Sequence, residues 1–210
     1  MTLKDFGNIP FRLSALEAAF PDIKDIRVKA ARMEDSGEII RLKKGLYVVS
    51  PNVSGVLLND FLIANHLYGP SYVSMQSALR YYGLIPEAVY EVQSVTTGLA
   101  KSFTNAVGSF RYIHCPAEYY PVGVTMETHD DVSFMIATPE KALCDLIIFT
   151  PNLNLRYIGE IRKYLEEDIR IDMEELAKLD TEILRQCAAV GRKKPMIDKL
   201  IKIIESERNI

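Results

Sequence analysis

Hydrophobic and polar positions follow two different periods within the first fifty residues, and the change of period separates the elements. Leu16 and Phe20 lie four apart, behind Ser14 and Glu17, whose spacing fits a capping box. A short helix is therefore expected to open at Ser14 and to end at Pro21. Asp22 stands where the next helix needs a cap, and Ile23, Ile26, Ala30 and Met33 recur at helical spacing as one buried stripe. Gly37 falls where a left-handed C-cap belongs. The period then drops to two: Ile40 and Leu42 alternate with Arg41 and Lys43, Lys44-Gly45 supplies a turn, and Leu46-Tyr47-Val48-Val49 returns. Helix, turn, helix and hairpin is the layout of a short winged helix-turn-helix.

Behind Pro51-Asn52 the pattern becomes mixed. Residues 56–67 read as a helix, and residues 75–82 as another, capped by Ser74 and closed by Gly83. Strand-like runs follow at residues 89–97, 109–114, 122–128 and 132–136, separated by Gly98, Asn105, Gly108 and Asp130-Asp131. Thr138-Pro139 opens a strong helix, with Thr138 as cap and an apolar stripe of Ala142, Leu143, Leu146 and Phe149. From about residue 154 onward the spacing is helical. The expected architecture is α+β: a winged-helix module over residues 1–51, then a mixed α+β domain over residues 52–210 with a helical C-terminal region.

Charge refines this division. The net charge is −3, yet residues 1–51 hold nine Lys or Arg against seven Asp or Glu, and the remainder sixteen against twenty-one. A mildly basic front on an acidic body suits a protein that touches nucleic acid at one end. No stretch approaches the about 20 apolar residues of a membrane span, and the opening Met1-Thr2-Leu3-Lys4-Asp5-Phe6 lacks the layout of a signal peptide, so the cytoplasm is the expected location and no membrane partner is expected. Cys115, Cys144 and Cys187 are odd in number and widely spaced, which fits neither a disulfide framework nor a zinc site.

The candidate chemistry lies on the second helix and the hairpin. On a helical wheel, Lys24, Val28, Ala31 and Arg32, flanked by Arg27 and Lys29, lie opposite the apolar stripe, and Arg41, Lys43 and Lys44 sit at or near the hairpin tip. Such a helix suits a major groove and such a tip suits adjacent phosphates. An isolated basic helix face reads as solvated surface; the basic hairpin that follows favours double-stranded DNA. The alternative is a protein-interaction module that uses a degenerate winged helix without specific DNA binding.

Enzymatic signatures are sparse, and neither catalysis nor a cofactor is expected. There is no nucleophile elbow, phosphate-binding glycine loop or dinucleotide fingerprint, and His66, His114 and His129 have no metal spacing. Cys144 lies in an apolar helix and reads as packing, and the adjacent His114 and Cys115 point to opposite faces of a strand. Glu140 complements a helix N-terminus, and Glu166-Glu167-Asp168 reads as a solvated helix end.

Several strings taken together resemble a known family. They are Leu42-Lys43-Lys44-Gly45-Leu46-Tyr47, then Asn65-His66-Leu67-Tyr68-Gly69-Pro70-Ser71-Tyr72-Val73-Ser74 leading into Gln76-Ser77-Ala78-Leu79, then Tyr82-Gly83-Leu84-Ile85-Pro86, and last Ala137-Thr138-Pro139-Glu140-Lys141-Ala142-Leu143-Cys144-Asp145. In this order, over residues 39–146, they resemble the AbiEi antitoxin family of bacterial type IV toxin–antitoxin systems. The resemblance implies a winged helix that binds inverted repeats in its own promoter and represses it. It also implies a C-terminal part that counters a cognate nucleotidyltransferase-type toxin, or acts at that toxin's target, in phage defence and genetic-element maintenance. On this match Arg27, Lys29, Arg32, Arg41, Lys43 and Lys44 fall in the recognition helix and wing. One feature departs from the pattern: only residues 1–9 are available for a helix in front of the pair, with Gly7-Asn8 and Pro10 closing it. Either that first helix is reduced, or the middle domain completes the core.

Overall fold

The computed structural model describes residues 2–129 and 131–208. Met1, and Asp130 of the expected Asp130-Asp131 turn, lie outside the described residues; Asp131 itself has φ +63°. The fold is mixed α+β, with one small sheet and one large one.

The chain opens with a single 3-10 turn, Leu3–Phe6, followed by β1 (Phe11–Arg12), α1 (Leu13–Ala19), α2 (Ile26–Asp35), β2 (Ile39–Lys43) and β3 (Leu46–Val49). β2 and β3 form the expected antiparallel hairpin, and Gly45 supplies its turn at φ +77°. β1 pairs with the far side of β3, so the small sheet runs β1-β3-β2. Two residues are too few to show a period, which is why β1 leaves no trace in the sequence pattern.

That pairing also corrects the start of α1. Arg12 is fixed opposite Leu46 and becomes the helix N-cap, so Ser14 lies inside the first turn and the expected Ser14–Glu17 capping box does not form. α2 likewise starts later than expected. The Asp25 side chain, not that of Asp22, accepts from the backbone N–H groups of Arg27 (3.1 Å) and Val28 (3.2 Å). Ile23 and Lys24 are thereby left in the preceding loop, exposed. At its other end Glu38 N–H donates to the Met33 carbonyl and Gly37 N–H to that of Glu34, the paired bonds of a left-handed cap around Gly37 at φ +72°.

The small sheet is buried on both faces. Phe11, Ile39, Tyr47 and Val49 join Leu3, Phe6, Leu16, Ile26, Ala30 and Met33 in a core beneath the two helices. Leu42, Leu46 and Val48 join the larger core of the remaining chain. Ahead of α1 the chain forms one helical turn and β1, and the following region covers the sheet's other face in a separate core.

α3 (Pro51–Ser54) and α4 (Asp60–Leu67) come next. The expected helix from residue 56 begins only at Asp60, because the Asn59 side chain caps it (3.0 and 2.9 Å to the Phe61 and Leu62 N–H groups). Ahead of that cap, the Leu57 carbonyl accepts from the Asn8 side chain at 3.0 Å. β4 (Ser71–Val73) and α5 (Met75–Tyr81) lead to β5 (Glu91–Thr96), β6 (Lys101–Thr104), β7 (Ser109–His114), β8 (Val124–His129) and β9 (Val132–Ala137). These strands form one mixed sheet in the order β6-β7-β5-β4-β9-β8. β4 and β6, three and four residues long, are not among the strands expected from the sequence. The long helix α6 (Pro139–Phe149) starts as expected, with Thr138 accepting from Lys141 N–H at 3.4 Å. The C-terminal region is helical: α7 (Ile158–Lys163), a π turn (Tyr164–Asp168), α8 (Met173–Ala177), α9 (Thr181–Val190) and α10 (Lys194–Glu207). α10 packs its Ile197, Leu200, Ile201 and Ile204 stripe into the core. Among the described residues no helix is long and apolar enough to cross a membrane.

Candidate nucleic-acid interface

The burial of Ile26, Ala30 and Met33 fixes how α2 is turned. At 100° per residue, Arg27, Ala31 and Glu34 then face the hairpin, Lys29 faces α1, and Val28, Arg32 and Asp35 face outward. The side chains agree. Lys29 Nζ lies 5.8 Å from the centre of the Phe20 ring, and Arg41 Nη2 reaches Glu34 Oε2 at 2.5 Å.

Between α2 and the hairpin lies a groove of about 480 Å³, lined by Leu13, Arg27, Ala31, Arg41, Lys44, Gly45 and Tyr47. Three cations line it and no carboxylate does. Arg41 spans its wall, with its guanidinium 6.0 Å from the centre of the Tyr47 ring and its positive form further stabilised by Glu34, which raises its proton affinity. Arg27 and Lys44 are exposed, and among the described residues neither has an acidic partner within ion-pair distance. An oxyanion entering the groove meets two uncommitted cations and one oriented guanidinium.

The seven cations singled out from the sequence are therefore divided. Arg27, Arg41 and Lys44 converge on the groove. Arg32 is exposed on the outer face of α2, while Lys29 is half-buried on the α1 flank. Lys24 is not on the helix face, because Asp25 starts the helix after it. Lys43 does not extend from the tip: it points to the second half of the chain, where its ammonium donates to the Leu67 carbonyl at the end of α4. Burial and the charges of Arg12 and Lys101 lower its proton affinity.

A second constellation was not visible in the sequence. Asp145, on α6, is fully buried and accepts from Ser74 Oγ (2.6 Å), Tyr119 O–H (2.7 Å) and Tyr72 O–H (3.1 Å). Lys141, one turn earlier and equally buried, lies 3.4 Å from Asp145 and donates to the Tyr119 carbonyl at 3.0 Å, with its ammonium 3.1 Å from the centre of the Tyr119 ring. Burial raises the Asp145 proton affinity, and Lys141 together with the three hydroxyls pulls it back. Ser74 gives its hydroxyl to Asp145 and not to the start of α5, so the cap expected there is absent. The available signal was the spacing of Lys141 and Asp145, but a charged pair four apart usually marks a solvated helix face. The cluster joins β4, α6 and the 115–120 loop, and every side chain in it is buried.

The other candidates remain separate. His114 is exposed with Nδ1 2.9 Å from the Gly98 carbonyl oxygen, while Cys115 is buried. Glu140 accepts from Asp180 N–H at 2.9 Å, joining α6 to the start of α9. Glu166 and Glu167 pair with Arg162 (3.1 Å) and Lys163 (3.6 Å). Among the described residues no three His, Cys, Asp or Glu side chains gather as a metal ion requires. Compared with known proteins, the chain matches no family model and no curated protein.

Proposed function

We propose that this chain is a DNA-binding transcriptional repressor of its own promoter whose first fifty residues form a winged helix. We further propose that it is the antitoxin of a type IV toxin–antitoxin system, countering a nucleotidyltransferase-type toxin in the cytoplasm. The observation that carries the DNA-binding reading is the groove of Arg27, Arg41 and Lys44 between α2 and the hairpin, with no carboxylate among its lining residues. The winged-helix reading is supported by the element order: one helical turn, strand, helix, helix and hairpin, with the early strand added to the hairpin's edge. The antitoxin reading is supported by the resemblance of residues 42–47, 65–79, 82–86 and 137–145 to the AbiEi family. In this reading α2 enters the major groove with Val28 and Arg32 outward, and Lys44 meets a phosphate beside it.

The test is a mobility-shift titration with a duplex taken from upstream of the chain's own coding sequence. Binding that weakens steeply with salt is expected, and Arg27→Ala, Arg32→Ala and Lys44→Ala are each expected to weaken it by about 1–2 kcal/mol. Absence of any shift at low salt would overturn the reading. For the antitoxin part, co-expression with a neighbouring nucleotidyltransferase-like protein should restore growth, and growth that stays arrested with the full chain present would overturn that part.

The second reading is the protein-docking module. The exposed Ile23 and Val28, and the neutralisation of Arg41 by Glu34, favour it. Its signature is a partner that co-purifies regardless of Arg27→Ala and Lys44→Ala, with no DNA shift.

A further inference from the structure

The hairpin tip carries cations on both of its faces, and those on the second face come from both halves of the chain. Arg12 and Lys43 both lie opposite Leu46, one on each side of it, so the three make a single row across β1-β3-β2. Leu46 packs into the larger core, so this row faces the second half of the molecule. There it meets β6. Lys101 Nζ lies 5.1 Å from the centre of the Phe103 ring and 5.7 Å from that of Tyr68, and Lys43 Nζ lies 5.9 Å from the same Phe103 ring. Arg12 and Lys101 are exposed.

Three features make this row more than a chance run of basic residues. Among the described residues, none of the three cations has an acidic partner within ion-pair distance. The cations are close enough that the charges of Arg12 and Lys101 reduce the proton affinity of Lys43. The arrangement is also fixed: Lys43 is bonded to the Leu67 carbonyl, and Asn105 in the β6–β7 turn donates from Nδ2 to the Leu42 carbonyl at 3.0 Å. Uncompensated like charges held together by packing repel one another until an anion arrives, and that repulsion is relieved on binding. Lys44, the next residue after Lys43, lines the groove on the opposite face, so the two cationic surfaces are separated only by the tip.

We propose that Arg12, Lys43 and Lys101 form a second phosphate-gripping platform, built jointly by the small sheet and strand β6, which holds the backbone of the same DNA duplex that the α2 groove engages. Lys43 supplies charge from its fixed position, while Arg12 and Lys101 supply the free donors. The proposal rests on the DNA-binding reading above. Because it concerns backbone contacts, the platform adds affinity without sequence preference.

The experiment uses the full chain with the upstream duplex and a scrambled duplex of equal length, titrated across salt. Arg12→Gln/Lys101→Gln is expected to weaken binding to both duplexes by the same factor, roughly tenfold or more, and to reduce the salt slope by about 1–2. Arg12→Lys/Lys101→Arg is expected to retain most of the affinity, which separates a charge role from a merely structural one. Lys202→Gln, at an exposed position of α10, is the control and should bind as the parent does. If the parent binds, Arg27→Gln/Lys44→Gln weakens it, and Arg12→Gln/Lys101→Gln leaves affinity and salt slope unchanged, the platform is overturned and the DNA-binding reading stands. If the parent binds neither duplex at low salt, the DNA-binding reading itself fails, and the platform with it.

Discussion

Asp145 accepts three hydroxyl hydrogen bonds and faces one ammonium, all within the buried core. Removing one charge from such a pair leaves the other buried and uncompensated. Asp145→Asn should therefore destabilise the fold by about 3–5 kcal/mol, measured by urea unfolding. Lys141→Met/Asp145→Asn should recover part of that loss, because the asparagine oxygen still accepts hydroxyls and no lone charge remains. The raised proton affinity of Asp145 also has a sign in pH. Between the ordinary carboxylate range and the raised folded value, the unfolded chain has already released the proton that the folded chain keeps. The stability contributed by this group is thus full below that window and falls as pH rises through it. Asp145→Asn should flatten this part of the profile. The three cysteines make a simpler case at the same scale. All are buried; burial pushes the Cys115 thiol up to about 11 and that of Cys144 above its ordinary value, while the hydrogen bond with Cys144 lowers that of Cys187 within the core. A thiol reagent at pH 8 should find no fast-reacting group in the native protein and three after unfolding; a rapidly labelled native thiol would contradict the packing.

At the scale of elements, the hairpin turn rests on a single glycine. Gly45 sits at φ +77° with nothing within 4 Å of where a Cβ would stand, so Gly45→Ala meets backbone strain and no clash. A loss of about 1–2 kcal/mol in thermal or denaturant unfolding is expected, with Gly45→Asn less harmful. The elements that the sequence revealed share a trait: their own residues determine them. Thr138-Pro139 starts α6, Gly37 ends α2, and Lys44-Gly45 turns the hairpin. The starts of α2 and α4 moved to the nearby caps Asp25 and Asn59, while the other misplaced or missed features depend on distant partners. Ser14 lost its capping role because Arg12 is held by Leu46; Ser74 lost its role to Asp145, 71 positions away; β1, β4 and β6 exist through the strands beside them. The candidate site divides in the same way. Arg27 and Lys44 could be placed from local spacing, whereas the inward course of Lys43 depends on Leu67 and Phe103, which no local pattern reveals.

At the scale of the whole molecule, β3 is the shared element. Its Tyr47 and Val49 belong to one core and its Leu46 and Val48 to the other, so neither core can lose this strand and remain intact. Thermal unfolding should accordingly be a single transition, coincident by far-ultraviolet circular dichroism and tyrosine fluorescence; two separated transitions would show the cores to be independent. The same strand joins the basic front to the acidic remainder through both cores. The measurement that tests this account most directly is the salt dependence of full-chain binding to its own upstream duplex. The account predicts that the logarithm of affinity falls linearly with the logarithm of salt, by about 0.9 per neutralised phosphate, and that Arg27→Gln/Lys44→Gln makes the slope shallower by about 2. No binding at low salt, or a slope unchanged by those two substitutions, would contradict it.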